Sequence, residues 1–177
     1  MGIAANQARL MTLTARQNDL EYKAQRLSAI KMHLSQTTSQ LATNYANALN
    51  TYSTLNSAQQ MGNQYSTDKF KVNPDGSYAK VPSNYEAQSG ETVCTGATLL
   101  STVASAIGAG SYDTASGYLS YQQGVYTTET ERLSAQEKIY DMELTQVNTE
   151  HDAIKTEYDA IKSLVGDNVE KSFNVFG

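Results

Sequence analysis

The chain has 177 residues, a formal net charge of −5 and 18% charged side chains. The acidic balance argues against nucleic acid or an anionic membrane as a main partner. A lone cysteine, Cys94, excludes an internal disulfide, and no stretch approaches the ~20 apolar residues of a membrane span.

The first predicted element is a long amphipathic helix over residues 1–61. Leu13, Leu20, Leu27, Leu34 and Leu41 stand seven residues apart. A seven-residue apolar repeat is the signature of a helix that packs along a seam. Gln17, Ala24, Lys31 and Thr38 fill the alternate heptad position, so the seam is strong on one position and thin on the other. Tyr45, Ala48, Tyr52 and Leu55 continue it. At ~1.5 Å per residue, about 50 residues of such a helix make a rod of roughly 75 Å. Residues 1–20 lack the apolar run of a secretory signal peptide. Met1-Gly2 opens as a myristoylation site does, but Asn6 stands where that site needs Ser or Thr.

The middle, residues 62–128, reads as an irregular insertion. Both prolines of the chain, Pro74 and Pro82, fall here. Asn73-Pro74-Asp75-Gly76 between two short β-prone runs predicts a β-hairpin over 65–81, because Pro pre-sets the turn and Gly supplies positive φ. Residues 83–95 read as loop. Ala97 to Ile107 reads as a short helix closed by Gly108 or Gly110. Twelve tyrosines and no tryptophan occur in the chain. Tyr65, Tyr78, Tyr85, Tyr112, Tyr118, Tyr121 and Tyr126 gather in this region, either to pack a small cap or to form an adhesive face.

A second long helix is predicted over residues 129–177. Its start lies between Thr114 and Thr130, and Thr128 with Glu131 offers a capping box. Leu133, Tyr140, Val147, Ile154 and Ile161 form its seam at seven-residue spacing. Glu137, Leu144, His151, Tyr158 and Val165 form the alternate position. Val169, Phe173 and Phe176 carry the apolar stripe toward the end, where the two phenylalanines make a candidate self-association tip.

The two ends are oppositely charged: residues 1–60 hold five basic and two acidic side chains, residues 129–177 five basic and eleven acidic. Antiparallel pairing sets Leu13 against Ile161, Leu20 against Ile154, Leu27 against Val147, Leu34 against Tyr140 and Leu41 against Leu133. Arg16, Lys23 and Lys31 then come near Glu157, Glu150 and Glu143. Such exposed pairs, at ~0.2–1 kcal/mol each, choose register; seam burial at ~1.5–3 kcal/mol per large side chain supplies the stability. The expected fold is mainly α, a long antiparallel helical hairpin with a small β-hairpin-containing insertion. The same seams also allow pairing with the helices of another copy.

No motif for chemistry stands out. His151 lies on a seam position and reads as a packed histidine. His33 is too far along the helix to share a metal with it. Cys94 has no histidine nearby and reads as a small, partly buried residue. No cofactor, metal or catalytic residue is expected.

Residues 8–34, Ala-Arg-Leu-Met-Thr-Leu-Thr-Ala-Arg-Gln-Asn-Asp-Leu-Glu-Tyr and onward, resemble the opening of short uncharacterised bacterial coiled-coil proteins. Those proteins also end in a segment similar to residues 160–163 through 172–176. In plan, the chain resembles flagellins and type III-exported filament subunits, which pair N- and C-terminal helices around variable sequence. The usual flagellin terminal motifs are absent, so this resemblance is architectural. It implies a self-assembling structural subunit of a bacterial filament or surface array, extracellular or at the cell surface, reached without a cleaved signal peptide. Its partner would be itself. The alternative is a soluble cytoplasmic coiled-coil adaptor or chaperone-like module that binds other proteins.

Overall fold

The computed structural model describes residues 3–174, with side chains over residues 4–171. The protein is mainly helical, with a small three-stranded antiparallel sheet in its middle. Helix α1 spans Ile3–Gln64, strands β1, β2 and β3 span Lys69–Val72, Tyr78–Val81 and Thr92–Thr95, helix α2 spans Gly96–Ala106, and helix α3 spans Ala115–Asn174.

Helix α1 is poor in charge and α3 is not, but both are proline-free and rich in Ser and Thr. Their hydroxyls turn back on their own helix. Thr12, Thr14, Thr37 and Thr43 donate to carbonyls four residues earlier in α1, at 2.9–3.0 Å. Thr145, Thr149 and Thr156 do the same in α3 at 2.8 Å. Each hydroxyl is thereby satisfied without a partner helix, which leaves the seam to be chosen by apolar side chains.

Two compact units divide the chain. One comprises Met1–Thr37 with Arg132–Gly177. Its buried cluster is Leu13, Leu20, Ile154 and Ile161, with Leu10, Val147, Tyr158 and Val165 packed against it. Burial along α1 in this unit recurs at alternating intervals of three and four: Leu10, Leu13, Gln17, Leu20, Ala24, Leu27, Lys31 and Leu34 are shielded, Ile30 beside Lys31 is half-buried as well, and the other residues between them face water. This is the periodicity expected of a helix that covers one narrow stripe.

The other unit is Thr38–Glu131. Its sheet has the order β2-β1-β3. Phe70 and Val72 on β1 point into a core with Leu55, Leu99 and Val103, and Phe70, Leu55, Leu99 and Val103 are fully buried. The turn between β1 and β2 closes through Gly76 N–H to the Asn73 carbonyl at 2.9 Å, with Gly76 at φ +83°. Asp75 braces it by accepting from the Ser77 amide at 2.9 Å and hydroxyl at 2.6 Å. Helix α2 ends in a Schellman motif: Ala109 N–H reaches the Ala104 carbonyl and Gly108 N–H the Ser105 carbonyl, with Gly108 at φ +67°.

Three local expectations change. Residues 92–95, read as loop, form β3 against β1. Helix α3 begins at Ala115, at the early end of the expected Thr114 to Thr130 window and well before the 129 boundary, so Thr128 and Glu131 lie inside it and form no capping box. Its first turn is capped instead by Thr114, whose Oγ1 accepts the Gly117 N–H at 3.0 Å, and by Gln59, whose side-chain carbonyl accepts the Ala115 N–H at 2.8 Å. Helix α1 runs on to Gln64, three residues past the end expected for it.

Candidate functional site

The seam residues distribute between the two units. Leu13, Leu20, Ile154 and Ile161 are brought together in one cluster, and Leu27 and Leu133 are also buried. Leu34, Tyr140 and Val147 are half-buried. Leu41, in the second unit, is half-buried as well. The Phe173 side chain and Phe176 lie outside the described residues. Val165 packs on the first cluster, whereas Val169 is exposed.

The flanking charges pair differently from the expected set. Glu157 takes Arg9 at 2.5 Å, not Arg16. Lys31 pairs with Asp141, not Glu143, and that carboxylate raises the Lys31 pKa above its ordinary value. Lys23 pairs with Asp19 one turn back in its own helix at 3.0 Å. Arg9 and Arg16 stand one heptad apart on one helix edge, about 10 Å along the axis. Long side chains span that distance, so charge spacing alone does not fix which of two equivalent cations a carboxylate takes. His151 is half-buried on its seam position, 3.3 Å from the Gln17 amide and 3.5 Å from a Glu21 carboxylate oxygen.

Where the first unit's seam thins, a groove of about 520 Å³ opens. Leu20, Leu27, Ile30, Tyr140 and Val147 form its apolar walls. Lys23 and Arg26 border it on α1, and Glu143 and Glu150 border it on α3.

The second unit carries a polar cluster that sequence reasoning missed. Glu91 accepts from the Lys71 ammonium at 2.5 Å, from the Tyr85 hydroxyl at 2.6 Å and from the Gln88 amide at 3.2 Å. These donors, Lys71 first, hold its carboxyl down to about 2. Lys69 donates to the Tyr85 carbonyl at 3.0 Å. Together these bonds tie residues 85–91 to β1. All of these bonds are made within the unit, so the cluster clamps a loop.

The tyrosines mostly pack. Tyr118 is buried in the core, Tyr78 meets Phe70 edge-on at 6.2 Å, Tyr45 stacks on Tyr126 at 4.5 Å, and Tyr112 sits edge-on to Tyr118 at 5.2 Å. Tyr121 remains exposed. Cys94 is half-buried beside the core, and burial pushes its thiol pKa up, away from nucleophilic character. Among the described residues, no group of three or more His, Cys, Asp or Glu is arranged to hold a metal ion, and no helix is long and apolar enough to cross a membrane. Comparison with family models, curated proteins and solved structures finds no match for the chain.

Proposed function

We propose that this chain is a bacterial structural subunit, not an enzyme, whose two long helices pair as an antiparallel coiled-coil hairpin and self-assemble into a filament or surface array. We assign it to the cell surface or the extracellular space. The observation that carries this reading is the division of apolar side chains on the long helices. One heptad stripe is covered, as at Leu13, Leu20, Ile154 and Ile161. A second set of large apolar side chains remains in water: Met11, Tyr22 and Met32 on α1, and Ile139, Met142 and Leu164 on α3. Helices with large apolar side chains left outside their own seam are suited to packing against further helices. Opposite charge on the two ends supports antiparallel pairing.

Negative-stain electron microscopy over a concentration series tests the proposal. Regular filaments or arrays that disappear with Leu20→Asp are expected. Uniform small particles at every concentration would overturn it and favour the adaptor reading.

A further inference from the structure

We propose that the groove bordered by Lys23, Arg26, Glu143 and Glu150 is the face through which two copies of this chain pair about a two-fold axis. The inference rests on the self-assembly reading and names its first interface.

The groove is self-complementary in charge. Its α1 border carries two cations and its α3 border two carboxylates. A two-fold axis that runs along the mouth of the groove, parallel to the two helices, lays the α1 border of one copy on the α3 border of the other, twice. Register agrees with this. With Leu20 level with Ile154 in their shared cluster, Glu143 lies level with Lys31 and Glu150 with Ala24. Such an axis preserves level along the helices, so a second copy's Lys23 lies within one residue of the level of Glu150. A second copy's Arg26 keeps its own level, which falls between Glu150 and Glu143. The apolar walls on α1, Leu20, Leu27 and Ile30, then meet those on α3, Tyr140 and Val147, with Leu27 level with Val147, and cover the groove.

The charges are available for this role. Among the described residues, Arg26, Glu143 and Glu150 make no hydrogen bond or ion pair within the chain, and all three side chains face water. Lys23 is held only by Asp19, in a pair whose side chains are 55% and 61% exposed. Exchanging that contact for one with a second copy costs little, because solvent screens exposed pairs of this kind and they contribute little to stability. A foreign helix would need a matching double row of opposite charges, whereas a second copy supplies it by symmetry.

The test uses two charge-reversed chains, Lys23→Glu with Arg26→Glu, and Glu143→Lys with Glu150→Lys, measured by analytical ultracentrifugation. Circular dichroism on each checks that helix content is kept. Wild type is expected to form a dimer before larger assemblies. Each variant alone should dissociate about 100-fold more readily, since like charges then face each other. An equimolar mixture should dimerise again, because each variant's borders complement the other's. If wild type self-associates and both variants do so equally well, the groove is not the interface and the self-assembly reading stands. If the mixture fails to recover, the two-fold pairing is overturned. If wild type is monomeric throughout, including where it takes up a foreign helix, both readings fall.

Discussion

The Lys71 ammonium stands 2.5 Å from one oxygen of Glu91, and the Tyr85 hydroxyl stands 2.6 Å from the other. The carboxylate thus joins the central strand to the loop that precedes β3. Its pKa is lowered from 4.5 to about 2, so it favours the folded state while ionised. The contribution is complete above pH 4.5 and is lost as pH falls through about 2. Glu91→Gln should remove this acid dependence and speed amide exchange at Gln88. Hydrogen exchange followed by NMR from neutral pH to pH 2 reads both effects. An unchanged Gln88 rate would show that the loop is held by other means.

Gly96 opens α2 against the end of α1, and a Cβ built there would lie 2.0 Å from the Tyr65 carbonyl oxygen. Backbone cannot yield as a side-chain tip does. Gly96→Ala should therefore destabilise the second unit by about 3 kcal/mol, the upper range for overpacking. Gly90→Ala is the control for steric crowding: it too adds a methyl group, but at a position where nothing lies within 4 Å. Its φ of +87° still makes it a backbone-strain substitution, expected to cost about 1 kcal/mol. Urea denaturation of both variants should show the larger loss at Gly96.

The long helices were legible because heptad leucines make a strong, local and repeated signal. The β1–β2 turn was legible for the same reason: Asn73-Pro74-Asp75-Gly76 states its geometry within four residues. Strand β3 was not. Thr92 to Thr95 carry no turn signal of their own and become a strand only by lying alongside Lys69 to Val72. The start of α3 was hidden likewise. Thr114 is followed at the third helical position by Gly117, not Glu, and its second cap comes from Gln59, more than fifty residues earlier. The groove and the Glu91 clamp depend on how separate segments register, which periodicity in one segment does not specify.

Tyr45 and Tyr126 stack with ring centroids 4.5 Å apart and planes 21° from parallel. Each is half-buried, so truncating either loses area as well as the ring pair. A double-mutant cycle with Tyr45→Leu and Tyr126→Leu should isolate a coupling of about 0.5–1.5 kcal/mol. A coupling indistinguishable from zero would mean that the rings contribute only through buried area.

Leu20 and Leu34 are two members of one heptad series with unequal surroundings. Leu20 is 4% exposed within a cluster that includes Ile154, while Leu34 is half-buried. The sequence treats them as equivalent; packing does not. Removing a buried leucine side chain loses its transfer energy and leaves a cavity, so Leu20→Ala should cost about 3 kcal/mol. Leu34→Ala removes atoms that water already partly reaches and should cost about 1 kcal/mol. Thermal melts followed by circular dichroism at 222 nm, interpreted with urea-derived stabilities, test the difference. Equal losses at the two sites would mean that the half of the seam near Leu34 is covered in solution, as pairing between copies along the groove would make it. Repeating the comparison at a concentration low enough to keep the chain monomeric then separates the chain's own packing from that of its assembly.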